Sequence, residues 1–135
     1  MIQRIQSIWL LLAATCIGLS FKLPFYSGTN ATAASYELNA TENFKLLGVT
    51  AITALLALVT IFLFKNRTLQ LRLCVAGIVL EAVLIFLYYR EVITFTTGTY
   101  SLWSMLHSLA VILFFLAARA INKDEKLIKD SDRLR

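Results

Sequence analysis

Charge is scarce in this chain. Asp, Glu, Lys and Arg make up 16% of its 135 residues, against about 25% in soluble domains. Apolar residues reach 59%, against roughly 45–50%. A water-soluble core cannot absorb that excess without exposing large apolar patches, and lipid can. Histidine occurs once, at His107, which excludes a metal site with two His ligands. There is no Gly-rich phosphate loop, no nucleophile elbow and no pair of catalytic carboxylates. Ser104 and Ser108 flank His107, a commonplace arrangement in membrane helices. Neither enzymatic activity nor a cofactor is expected. The net charge of +5 comes with no basic face interleaved with exposed aromatics, so nucleic acid is not an expected partner.

What is present is a series of apolar blocks, with the charges collected between and after them. A bilayer core about 30 Å thick needs about 20 helical residues at about 1.5 Å each. Four segments approach that length, at 5–21, 46–64, 71–89 and 102–120. The second contains no charge, the third only Glu81, and the fourth His107 with Arg119 at its end. The first lacks a small-x-small cleavage site and is expected to stay as a span rather than leave as a signal peptide. The expected fold is an all-α membrane protein of one domain, 1–135. Its four transmembrane helices form an up-down-up-down bundle, with a cytoplasmic tail over 121–135.

Lys and Arg in short loops set orientation. Arg4, Lys65, Arg67, Arg72, Arg119, Lys123, Lys126, Lys129, Arg133 and Arg135 fall on one side, and only Lys22, Lys45 and Arg90 on the other. The richer side is expected to be cytoplasmic, with both termini there. The first outer loop is rich in Asn, Thr, Ser and Ala, with Pro24 and Gly28 near its start. The second, 90–101, is β-branched and aromatic around Thr97-Gly98 and predicts a short hairpin, to which Tyr36-Glu37-Leu38 adds a strand. Asn30-Ala31-Thr32 and Asn39-Ala40-Thr41 match the glycosylation pattern, as chance allows in such a loop. In the tail, Glu125 with Lys129 and Lys126 with Asp130 stand at i,i+4 spacing, so helix 4 is expected to continue into water. Leu127, Ile128 and Leu134 give it a weak apolar edge. This is either a solvated helix end or a docking site for a cytoplasmic partner or lipid headgroups.

Glu81 is the most informative residue. An acid near mid-membrane costs about 2.5–3.5 kcal/mol on insertion scales, and such residues face the bundle interior and find a partner. Cys74, Gly77, Glu81 and Tyr88 share one helix face. His107 is the best partner: by rise per residue, Glu81 lies about 12 Å and His107 about 8 Å from the outer boundary. Thr15 and Thr53 fall at about the same depth, which predicts a polar cluster of Glu81, His107, Thr53 and Thr15 made by all four helices. It serves either as a packing network or in proton or cation handling. Transport wants a continuous polar path, and the inner half of helix 4, Val111-Ile112-Leu113-Phe114-Phe115-Leu116, has none. The structural role is therefore favoured. Cys16 and Cys74 differ in depth by roughly 15 Å, beyond the about 7 Å that a disulfide spans.

The opening Met1-Ile2-Gln3-Arg4-Ile5-Gln6-Ser7 and the closing stretch, from Arg119 through Asp124-Glu125-Lys126 to Asp132-Arg133-Leu134-Arg135, resemble the small four-helix proteins classed as domain of unknown function 4293. That family occurs in Bacteroidota. The resemblance implies a bacterial inner membrane, no glycosylation, and no catalytic residues to carry over. It marks a cytoplasmic interaction surface of Arg4, Lys123, Asp124, Glu125, Lys126, Asp132, Arg133 and Arg135. Gln3, Arg4 and Gln6 would contact the acids of the tail. The expected role is a non-enzymatic accessory or scaffold subunit, working in the bilayer through another membrane protein or a cytoplasmic partner. The alternative is a small transporter or ion-handling protein using Glu81 and His107.

Overall fold

The computed structural model describes residues 2–31 and 33–134; the side chains of residues 2–4, 30, 33 and 34 lie outside the description. Four helices follow one another: α1 (Ile2–Leu19), α2 (Phe44–Phe62), α3 (Arg67–Val92) and α4 (Met105–Arg133). Each helix packs on its neighbours in sequence, and α1 against α4 closes the ring. Hydrogen bonds from α1 to α4 and from α3 to α2, with an ion pair from α3 to α4, gather the start of α1, the α2–α3 loop and the exit of α4 at one end. The other two connections meet at the opposite end in a small sheet.

The buried positions explain the packing. The inward stripes run through Gln6, Leu10, Ala13 and Ile17 on α1, continued by Ser20 just past its end, and through Leu46, Thr50, Thr53, Ala57 and Thr60 on α2. On α3 the stripe is Gln70, Cys74, Gly77, Glu81, Leu84 and Tyr88, and on α4 His107, Ala110, Phe114, Ala117, Ile121 and Asp124; Cys16 and Leu113 are buried beside these stripes. Steps of three and four alternate in every stripe, the seven-residue repeat of helices that wind about one another. Small and polar residues dominate the inside. Large apolar ones stand outside: Ile8, Leu11, Leu55, Phe62, Val79, Phe86, Ile112 and Phe115 are all exposed. That distribution inverts the soluble pattern and suits a lipid surround, where no hydrophobic force separates inside from outside and close packing decides. Three helices, Phe44–Phe62, Arg67–Val92 and Leu102–Arg133, are long and apolar enough to cross a membrane; the apolar part of α1 is shorter.

Gly77 shows how tight the interior is. A Cβ there would lie 2.7 Å from the Phe114 ring, so the glycine is the seat of that ring.

Three strands cap the bundle: β1 (Tyr26–Asn30), β2 (Ala33–Leu38) and β3 (Thr97–Tyr100), antiparallel in the order β2-β1-β3. Tyr26 faces Leu38 on one side and Tyr100 on the other. The hairpin lies in the first loop, between β1 and β2, and not in the second as the sequence predicts. Turn hydrogen bonds carry α3 on to Phe95, which leaves only four residues of strand; these cannot fold back on themselves and pair with β1. Gly98 stands opposite Gly28, and a Cβ on it would meet the Tyr26 ring at 2.6 Å.

Helix limits also differ from expectation. α3 begins at Arg67 rather than Leu71, because its first turn is tied to its neighbours: the Arg67 guanidinium lies 3.1 Å from Asp124. Gln70 Nε2 donates to the Thr60 carbonyl at 3.1 Å. At the sheet end, Asn43 caps α2 by accepting from Lys45 N–H, and its Nδ2 donates to Glu91 on α3 at 2.8 Å.

Candidate functional site

The sheet-side half of the bundle holds an ionisable pair. α3 carries Glu81 on its buried stripe, one heptad before Tyr88, and α4 carries His107 in its first turn. The helices run antiparallel, so the two residues meet: His107 Nδ1 lies 3.0 Å from Glu81 Oε2. Glu81 is 0% exposed and His107 2%. Either group can be the donor, according to the histidine tautomer and which of the two bears the proton. The low dielectric penalises a lone charge there far more than a paired one.

Aromatic rings close the pair off. Phe25 stacks on Tyr88 at 4.3 Å, and the His107 ring lies 5.0 Å from Tyr88 and 5.8 Å from Phe25. Phe25 is pinned by its backbone, which donates to the Leu38 carbonyl and accepts from Ser101 N–H. The cap thus holds one side chain of its own over the pair. Two polar atoms of this cluster, Glu81 Oε1 and the Tyr88 hydroxyl, are buried with no hydrogen-bond partner among the described residues. The pair offers one carboxylate and one imidazole, and no group of three potential metal ligands occurs among the described residues.

The four residues assigned to the cluster from sequence do not all meet. Thr53 is buried, but its hydroxyl donates to the Val49 carbonyl of its own helix at 2.7 Å. Thr15 is exposed, bonded to the Leu11 carbonyl. Its depth is right and its direction is wrong, because it stands off the buried stripe of α1; Cys16 is the buried neighbour. Sequence reasoning missed Phe25 as the lid of the cluster. The only signal was an aromatic immediately after Pro24. Cys16 and Cys74 are both free.

A second polar group ties the other end. Asp124 is 7% exposed and pairs with Arg67, and Gln6 Nε2 donates to the Ala120 carbonyl at 3.3 Å. Asp124 is thus an internal strut and not part of an open interaction surface, since α4 turns it toward α3. Gln6 reaches the backbone of α4 rather than the tail acids. Lys123, Lys126, Asp132 and Arg133 are exposed. Glu125 accepts from Lys129 at 2.8 Å, and that hydrogen bond holds its carboxyl below the usual range. The Gln3 and Arg4 side chains and Arg135 lie outside the described residues, as does Thr32 of the first glycosylation-like triplet. In the second triplet, Asn39 Oδ1 accepts from both the Thr41 N–H and its hydroxyl.

The model of a family described as Domain of unknown function (DUF4293) matches residues 2–134. No curated protein and no solved structure matches.

Proposed function

The chain belongs to the DUF4293 family, a description that names no activity, and we propose that it is a non-enzymatic accessory or scaffold subunit of a bacterial inner membrane. In this reading it crosses the bilayer four times, with both termini cytoplasmic, and engages its partner through the end of α4. One observation carries the reading. Beyond Asp124, α4 continues as helix to Arg133, and Leu127, Ile128 and Leu134 are all exposed there. Most helical stability in proteins comes from packing an amphipathic face, and this projecting end has no neighbour to pack on among the described residues. A partner laid along the apolar edge would complete it. Most buried polar side chains of the bundle donate to backbone carbonyls of their own or a neighbouring helix, which suits a scaffold.

The test is purification of the tagged chain from its native membrane in mild detergent, with mass spectrometry of what accompanies it. A chain truncated after Glu125 keeps the Arg67–Asp124 pair and loses only the projecting helix. A stoichiometric partner present with the full chain and absent with the truncated one supports the reading. A clean protein in both cases overturns it.

A second reading, proton or cation handling by Glu81 and His107, is favoured by the unpartnered Glu81 Oε1 and Tyr88 hydroxyl. Phe25 over the pair, and Leu113, Phe114 and Ala117 farther along α4, are apolar, which weighs against it. Glu81→Gln in liposomes decides: loss of a pH-driven flux in a folded protein would favour this reading over the first.

A further inference from the structure

Where α1 starts and α4 leaves the bundle, a groove of about 400 Å³ opens between the two helices. It is lined by Ile5, Leu116, Arg119, Ala120 and Lys123. Its chemistry is divided. Ile5 and Leu116 make an apolar wall. Arg119 and Lys123, one turn apart on α4, place two positive charges at its rim. Both are exposed, and neither takes part in an ion pair among the described residues. Arg67 is engaged with Asp124, and Lys129 with Glu125. Lys65, Arg72, Lys126 and Arg133 make no ion pair among the described residues either, but of the unpaired cations Arg119 and Lys123 are the two that line the groove beside the apolar wall.

That wall is continuous with the outward apolar surface, through Ile8 on α1 and Ile112 and Phe115 on α4. A soluble anion would use the charges and leave the wall bare. A phosphate carried on acyl chains uses both: the guanidinium offers a planar fork to phosphate oxygens, the ammonium a point charge, and the chain lies along Ile5 and Leu116. Clusters of cations just inside the cytoplasmic face attract anionic lipids for the same reason. We propose that the α1–α4 groove binds one anionic phospholipid of the cytoplasmic leaflet, with its phosphate on Arg119 and Lys123. The placement in that leaflet rests on the orientation proposed above; the groove and its charges do not.

The experiment is native mass spectrometry of the full chain, extracted from vesicles of mixed phosphatidylethanolamine and phosphatidylglycerol. It reads retention whichever way the protein faces, so a wrong orientation and a wrong site give different results. One phosphatidylglycerol per chain is expected to survive delipidation in preference to phosphatidylethanolamine. Arg119→Gln with Lys123→Gln should lower its retention roughly thirtyfold, from about 1 kcal/mol per cation. Lys126→Gln, off the groove, should not change it. Equal retention of the two lipids, or undiminished retention by the double variant, would overturn the proposal. So would displacement of the lipid by glycerol 3-phosphate, which would make the site one for a soluble anion. If the double variant does not fold, Arg119→Gln alone should lower retention about fivefold.

Discussion

Gly77 and Phe114 show what single residues do in a bundle without a hydrophobic driving force. Alanine at 77 would gain about 1 kcal/mol of helix propensity. It would also drive a methyl into a ring that sits where the Cβ would stand, and overpacking costs about 1–3 kcal/mol. The second effect wins because the ring is fully buried. Gly77→Ala is therefore expected to lower the melting temperature in detergent, and Gly77→Ala with Phe114→Leu to recover most of the loss. Full stability of the single variant would contradict this packing. The Glu81–His107 pair obeys a different rule. Removing one partner strands a buried polar group, at a cost of about 1–3 kcal/mol or more, whereas replacing both by apolar residues can be near neutral. His107→Leu should thus destabilise strongly, and Glu81→Leu with His107→Leu should melt above it. A double variant no more stable than His107→Leu alone would mean that the pair is not the coupled unit its 3.0 Å contact describes.

Among elements, the helices were legible in sequence and their ends less so. The pairing of Glu81 with His107 followed from an acid and a lone imidazole at similar depth on antiparallel helices. Thr15 was misplaced because depth by rise per residue says nothing about direction around the axis; the stripe of Gln6, Leu10, Ala13 and Ile17 carries that information. The Arg67–Asp124 strut stayed hidden because each partner sits in a charged run that reads as solvated, and only the ring closure of α1 on α4 turns Asp124 inward. Phe25 was beyond reach for another reason: its place depends on backbone pairing with Leu38 and Ser101, contacts far apart in the chain. The strut makes its own prediction. Asp124→Ala should leave Arg67 without a counter-ion and loosen α4 from Ala120 onward, seen as faster amide exchange in 120–133 with the sheet end unchanged. Uniform protection would dismiss the strut. Further out, the Glu125–Lys129 pair gives α4 a pH dependence. Lys129 lowers the Glu125 carboxyl below its ordinary 4.5, so the pair's support is fully present above that value and fades as pH falls through the lowered one. Tail helicity should therefore hold from neutrality to about pH 4.5 and then decline. Glu125→Gln should remove that step, and its persistence in the variant would assign it to another group.

At the scale of the whole molecule, the proposed topology has two testable parts, the direction in which the bundle faces and the crossing of α1 alongside the other three helices. Ten Lys and Arg accompany the termini end in sequence and three the sheet end, and the structure keeps the α2–α3 loop at the termini end through Gln70 and Arg67. In the orientation proposed above, which follows the positive-inside rule, the sheet faces outward. α1, at 18 residues, spans about 27 Å, slightly short of a core about 30 Å thick, a mismatch that local thinning absorbs at modest cost. Both native cysteines are buried and free, which permits single reporters without removing them. Glu37→Cys on β2 should react with a membrane-impermeant maleimide in intact cells. Lys126→Cys on α4 should react only after permeabilisation. Three crossings separate those two positions whether or not α1 spans, so they fix the direction alone. A tag ahead of Met1 decides the fourth crossing: if α1 spans, the tag is protected together with Lys126→Cys, and if α1 lies on the surface, it is exposed together with Glu37→Cys. The ring favours the first outcome. α1 packs along both α2 and α4 and presents Ile8, Leu11 and Leu12 outward, so a helix excluded from the bilayer would have to expose that face to water and strip α4 of its neighbour.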